Sequence, residues 1–190
     1  MSGSPLLKLE DVACIRGGRL LFEGVDLRIA QSEAVVVTGP NGAGKSSLIR
    51  IAAGLLPASS GVVARGGALA LADEGLALDQ KLTLARALRF WAKLDGAAAE
   101  LGMEALGLGG LADVPVRMLS TGQRKRASLA RVVASNAPLW LLDEPLNGLD
   151  SEGTERLARA VERHRDTGGA ILVATHQPMP LPGASEVRLG

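Results

Sequence analysis

The sequence predicts an α/β fold on a mostly parallel central sheet, and three observations predict it. Three short apolar runs, Ala34 to Thr38, Leu139 to Leu142 and Ala170 to Thr175, are continuous rather than alternating. Strands of that pattern are buried on both faces, as in a parallel sheet covered by helices. The runs are separated by segments of helical periodicity, which supply the crossovers a parallel sheet needs. Each run also ends in residues capable of chemistry: a glycine-rich turn, then Asp143 with Glu144, then His176. In open parallel sheets the ligand crevice lies at those C-terminal strand ends. At 190 residues and 47% hydrophobic, the chain suits one domain burying roughly 70% of its unfolded surface.

Each element has its own local reason. The N-terminal 30 residues and Gly61 to Leu71 read as β-strands with turns. The loop after Thr38 leads into a helix that Gly54 and Pro57 stop. Thr83 can cap a helix from Leu84 to Leu94, with Leu88 and Trp91 on one stripe. Gly96 to Val116 is rich in alanine and glycine and supports at most short helices. Ser120 with Gln123 is S-x-x-Q, a capping box opening a helix from about Thr121 to Ser135, with Ala127, Ala130, Val133 and Ala134 as its buried stripe. Asp150 can cap a helix from Ser151 to about Asp166, where Leu157, Ala160, Val161 and His164 share a face. His164 is therefore read as a packing or helix-terminal residue with no chemistry assigned.

The chemistry starts at Gly39-Pro40-Asn41-Gly42-Ala43-Gly44-Lys45-Ser46, which fits G-x-x-x-x-G-K-[ST] without a mismatch and sits between strand and helix. Its glycines let consecutive backbone N–H groups point into one cavity, and the following helix adds its positive end. Lys45 supplies a mobile cation for the β- and γ-phosphates, and the Ser46 hydroxyl can ligate Mg²⁺. Asp143 is placed to hold Mg²⁺ through water, Glu144 to orient and deprotonate an attacking water, and His176 to sense the γ-phosphate. The turn at Ser120 to Gln123 raises a second question, because Gly122 in a first helical turn costs about 1 kcal/mol relative to alanine. A close approach by something is expected there, and a helix N-terminus with a serine hydroxyl is a second anion site. With one phosphate loop and one such turn per chain, the economical arrangement is a two-fold dimer in which each turn closes the other copy's nucleotide.

Bulk properties limit the partners. Lys and Arg number 21 against 20 Asp and Glu, a net charge of +1, so no global field draws the chain to nucleic acid or to an anionic bilayer. The Arg124-Lys125-Arg126 run reads as the solvated side of its helix. The lone Cys14 excludes an internal disulfide. The N-terminus has no basic stretch followed by an apolar run, and no apolar run approaches the roughly 20 residues of a membrane span. The expected location is the cytoplasm. No haem is expected to bind this chain directly, since both histidines have other assignments and Cys14 precedes no proline.

Taken together, these motifs resemble the nucleotide-binding subunits of ATP-binding cassette (ABC) transporters, P-loop NTPases of α/β class. "GPNGAGKSS", which adds Ser47 to the loop, resembles the Walker A motif, "LSTGQ" the signature, "LWLLDEP" the Walker B strand, "NGLD" the D-loop, and His176 the switch histidine. The resemblance implies a central sheet, an N-terminal antiparallel β part and a short helical signature subdomain. It divides residues 1–190 into a core at about 1–72 and 137–190 and a helical part at about 73–136. It also implies ATP and Mg²⁺ as cofactors and a homodimer in which Ser120, Gly122 and Gln123 face the partner's nucleotide while Asp150 couples the sites.

A narrower resemblance rests on the short length and on "LEDVACIRGGRLLFEGVDLRI", "LTLARALRFWAKL", "PVRMLSTGQRKRASLARV" and "ATHQPM". These are similar to ATP-binding subunits of the bacterial cytochrome c maturation haem exporters. That would imply a peripheral subunit on the cytoplasmic face of the inner membrane, docked on integral permease subunits and using ATP to release a haem-loaded chaperone. Two departures stand out. The family stacks adenine on an aromatic residue near position 15, where this chain reads "ACIRGG"; Arg16 can stack through its guanidinium plane, with weaker base selectivity. The family's Q-loop glutamine is missing, with Glu74 and Gln80 as candidates.

Rival classes are another small ABC exporter, a soluble ABC ATPase of DNA repair or chromosome organisation, a translation-associated two-cassette protein, and a module that binds without hydrolysing. The 98 positions from Lys45 to Asp143 leave no room for a coiled-coil or zinc insertion, and there is only one cassette. Glu144 and His176 argue against a module that only binds.

Overall fold

The computed structural model describes residues 4–75 and 77–190. Residues 1–3 of the expected N-terminal β region lie outside them. Two sheets form. β1 (Leu7–Arg16), β2 (Arg19–Ile29) and β4 (Ser60–Arg65) make an antiparallel sheet in the order β2-β1-β4. The β1–β2 hairpin closes through Gly17 and Gly18, both at positive φ (57° and 75°), as a two-residue turn that matches strand twist requires.

The second sheet is parallel throughout, in the order β5-β6-β7-β3-β8. β3 (Ala34–Thr38), β6 (Leu139–Asp143) and β7 (Ala170–Ala174) are the three apolar runs, to within a residue. β5 (Leu69–Ala72) and β8 (Ser185–Arg188) complete it. β5 fell within a stretch read as β without an assignment to this sheet, and β8 gave no apolar signal because Ser185-Glu186-Val187-Arg188 is a polar edge strand.

The apolar runs are continuous because the sheet has a core on each face. Leu139 and Leu141 of β6 and Ala170, Leu172 and Ala174 of β7 join the cluster beneath β1, β2 and α1 (Lys45–Ala53). Trp140 and Leu142, with Ile171 and Val173, join the cluster shared with the helices on the other side. Truncating one of these buried leucines to alanine costs about 2–5 kcal/mol.

The helices are α2 (Leu84–Leu94), α3 (Ala99–Ala105), α4 (Thr121–Ala134) and α5 (Ser151–Asp166), with two 3-10 turns, 109–111 and 116–118. The region from 96 to 116 thus holds only short helices, as expected. Thr83 occupies the N-cap position of α2, but its side chain makes no capping bond. The orphan amides of Leu84 and Ala85 go instead to the carbonyls of Val114 and Ala112, so tertiary acceptors do the cap's work. In α4 the capping box is complete: Gln123 N donates to Ser120 Oγ (3.2 Å), and Ser120 N donates to Gln123 Oε1 (2.9 Å). Its buried stripe runs through Val132 rather than Val133. Asp150 Oδ1 accepts from Gly153 N at 2.7 Å and caps α5.

His164 packs as predicted. Its ring stacks on Trp140, with centroids 3.8 Å apart and planes 7° from parallel. Burial pulls its pKa below the usual imidazole value.

Candidate functional site

The C-terminal ends of β3, β6 and β7 converge, because β6-β7-β3 are neighbours in one parallel sheet. At the end of β3 the loop turns on Gly39, Gly42 and Gly44, all at positive φ (139°, 83° and 99°). A Cβ on Gly39 would collide with the Leu189 carbonyl, and one on Gly44 would sit 2.8 Å from the Phe22 ring. The loop is therefore clamped between the last strand and the antiparallel sheet, with only glycine admitted at those points. Lys45, 7% exposed, folds back into it, donating to Gly39 O (2.9 Å) and Pro40 O (3.3 Å). Pro40, Asn41, Ala43 and Ser47 complete the loop and first turn, and Asn41 and Ser47 line the cleft.

At the end of β6, Asp143 is 1% exposed and accepts from Ser46 Oγ at 3.0 Å. Burial pushes its carboxyl pKa up; the Ser46 bond opposes this, while the Glu144 and Glu74 carboxylates push the same way. Glu144 adopts φ +45°, a left-handed conformation that costs a non-glycine residue on the order of 1–3 kcal/mol. Its amide, donating to Ala174 O at 2.8 Å, anchors that turn to the neighbouring strand. The turn aims the side chain at His176: Nδ1 lies 2.8 Å from Glu144 Oε2, and His176 N donates to the same oxygen at 3.3 Å. Oε1 makes no hydrogen bond among the described residues.

Lys45, Ser46, Glu144 and His176 share a cleft of about 540 Å³ with Arg16, Leu21, Glu74 and Asn147, and the buried Asp143 joins it through its bond to Ser46. Of the two Q-loop candidates, Glu74 lines the cleft; Gln80 is exposed elsewhere, its carbonyl accepting from Arg117 N. Leu21 and Asn147 were missed by sequence reasoning. Asn147 lies in the "NGLD" turn and is held by Gln177 Nε2 at 2.9 Å.

Ser120, Gly122, Gln123 and Asp150 do not line this cleft. The close approach expected at Gly122 comes from the chain's own Gly148 carbonyl, which a Cβ would meet at 3.0 Å. Arg124, Lys125 and Arg126 are not fully solvated; all three are half-buried, Arg126 against the Leu106 carbonyl and Arg124 and Lys125 beside Asp73, Glu74 and Asn147. A larger recess of about 680 Å³, between α5 and residues 180–182, carries none of these groups.

A phosphate loop, a buried carboxylate bonded to its serine, and a glutamate–histidine pair on adjacent strand ends form one nucleotide cleft. Residues 22–147, more than half of the chain, match the family described as ABC transporter. The chain belongs to the ABC transporter family. Relatives include the cytochrome c biogenesis ATP-binding export protein CcmA of Sphingopyxis alaskensis, 54% identical over 97% of this chain and 97% of its own. The protein of the same name from Novosphingobium aromaticivorans is 58% identical over 90% of this chain and 88% of its own. Among solved structures, an ATP-binding subunit of an ABC transporter superposes with a TM-score of 0.82 at 25% identity, covering 90% of this chain and 79% of that one. An ABC transporter ATP-binding protein from Pyrococcus furiosus shares the fold at a TM-score of 0.83 and 19% identity, over 96% of each chain. As a member of this family, the chain is an ATP-hydrolysing transporter subunit. No helix among the described residues is long and apolar enough to cross a membrane.

Proposed function

We propose that this chain powers the export complex of cytochrome c biogenesis, coupling ATP hydrolysis to release of a haem-loaded chaperone. It works as a homodimer on integral permease subunits, peripheral to the cytoplasmic face of the bacterial inner membrane. The subtype is supported by 54% identity over nearly the whole chain to a protein named for cytochrome c biogenesis export.

One observation carries the hydrolytic part: Lys45, Ser46 and the Glu144–His176 pair line one cleft, with the buried Asp143 bonded to Ser46. Loop amides from Asn41 to Ser47 receive the phosphates, and Lys45 exchanges the Gly39 and Pro40 carbonyls for phosphate oxygens. The residues fit Mg²⁺, because the Asp143 carboxyl is buried with its pKa raised, and a cation beside it would relieve the cost of that charge. Ser46 and Asp143 would hold the ion, which neutralises the β- and γ-phosphate oxygens when bound. Glu144 takes the proton of the attacking water at Oε1 as the water oxygen bonds to the γ-phosphorus and the bridging oxygen leaves. His176, holding Oε2, keeps the carboxylate aimed. The helical part, about 73–136, presents Ser120, Gly122 and Gln123 to the second copy's nucleotide, and Asp150 couples the two sites.

Two measurements test this. Affinity capture of the tagged chain from detergent-solubilised membranes is expected to recover cytochrome c maturation permease subunits; a drug or peptide permease in their place defeats the subtype. ATP turnover per molecule is expected to collapse on dilution below the pairing range, and an unchanged rate defeats the composite site.

A further inference from the structure

Arg124, Lys125 and Arg126 place three positive charges in the first turns of α4, and the expected solvated role fails for all of them. Arg126 Nη1 donates to the Leu106 carbonyl at 3.4 Å. Lys125 makes no hydrogen bond or contact ion pair among the described residues. It lines a recess of about 260 Å³ with Arg124 and Ser128, facing Asp73 and Glu74 beyond the end of β5. Glu74 and Asn147 line both this recess and the phosphate cleft, so the two spaces adjoin. Ser128, one turn on from Lys125, is 5% exposed and its Oγ has no partner, which marks this wall as polar rather than packed core.

The charges around Lys125 are lopsided. Burial lowers its pKa, and the groups opposing that shift are Asp143, Glu74, Glu144 and Asp73, in that order. A half-buried ammonium keeps its charge most readily where carboxylates offset its lost hydration. Two of them, Glu144 and Glu74, also help to raise the Asp143 pKa.

Resting on the nucleotide-binding reading above, we propose that Lys125 is the resident counter-cation of its own subunit's cleft, neutralising the Asp73–Glu74 side until Mg²⁺ arrives and then competing with it. Because Lys125 belongs to α4, metal entry loosens the hold between a subunit's cleft and the helix whose N-terminal turn carries Ser120 and Gly122. Lys125 is a positioning residue; it has no expected contact with the phosphates.

The test is ATP binding to the purified chain, read by displacement of a fluorescent nucleotide, with Mg²⁺ and with a chelator. Lys125→Met is expected to move the two affinities in opposite directions. Metal-free ATP binds roughly fivefold more weakly, because uncovered carboxylates repel it, and Mg²⁺-ATP binds up to about fivefold more tightly. Lys125→Arg keeps both at wild-type values, and thermal melting confirms that each variant folds. Shifts of the same sign, or no shift in folded Lys125→Met, would overturn the inference. Wild-type protein that binds neither form would overturn the nucleotide-binding reading, and this inference with it.

Discussion

Glu144→Gln separates catalysis from binding most cleanly. The substitution keeps side-chain volume and backbone and leaves an oxygen where His176 contacts Oε2, so the 2.8 Å and 3.3 Å contacts have an acceptor in the variant. The amide bond to Ala174 O and the φ of +45° are untouched, which keeps the stability change within about 1 kcal/mol. Only the proton-accepting capacity at Oε1 is lost. Removing a general base slows turnover about 10²- to 10⁴-fold, roughly 3–5 kcal/mol of transition-state stabilisation. The assay is phosphate release at saturating Mg²⁺-ATP, paired with equilibrium ATP binding and gel filtration. Turnover is expected to fall within that range with binding intact and an ATP-bound dimer accumulating. His176→Ala in the same background is expected to cost little more, because the pair acts as a unit. Turnover within twofold of wild type, or a loss matched by weakened binding, would refute the assignment of Glu144 as base.

Other expectations concern groups away from the phosphates. Because the folded state depresses the His164 pKa, the unfolded chain takes up a proton that the folded chain refuses once pH drops below about 6.5. The His164 contribution is therefore complete above that pH and declines as pH falls towards the folded pKa; chemical denaturation across pH 5–8 should show it, and His164→Phe should remove it. Gly169→Ala drives a Cβ into the His164 ring and is expected to destabilise by about 1–3 kcal/mol, with loss of the Trp140 stack seen in near-UV circular dichroism. The chain's four aromatic residues other than histidine are Phe22, Phe90, Trp91 and Trp140, and none lines the cleft, whereas Arg16 and Leu21 do. Arg16→Ala should raise the KM for ATP several-fold with kcat nearly unchanged, and wild-type protein should hydrolyse GTP within about tenfold of ATP; an unaltered KM removes Arg16 from the base contact.

The residues themselves determined everything that depends on neighbours in the chain. Eight consecutive residues from Gly39 to Ser46 specify the phosphate loop, because its conformation is a property of local glycine backbone and its ligands are its own amides. Ser120 with Gln123 and Asp150 with Gly153 specify their caps for the same reason. Continuous apolar runs specified three buried strands, since each faces a core on both sides. The polar strand β8, the missing side-chain cap at Thr83 and the burial of Arg124 to Arg126 were illegible, because tertiary neighbours decide them. Only the folded chain could choose Glu74 over Gln80, put Gly148 against Gly122, and bring Glu144 to His176, 32 residues away. Strand order made those choices: once β6, β7 and β3 lie side by side, their ends meet, and hydrogen bonds across adjacent strands set distances that no local spacing contains.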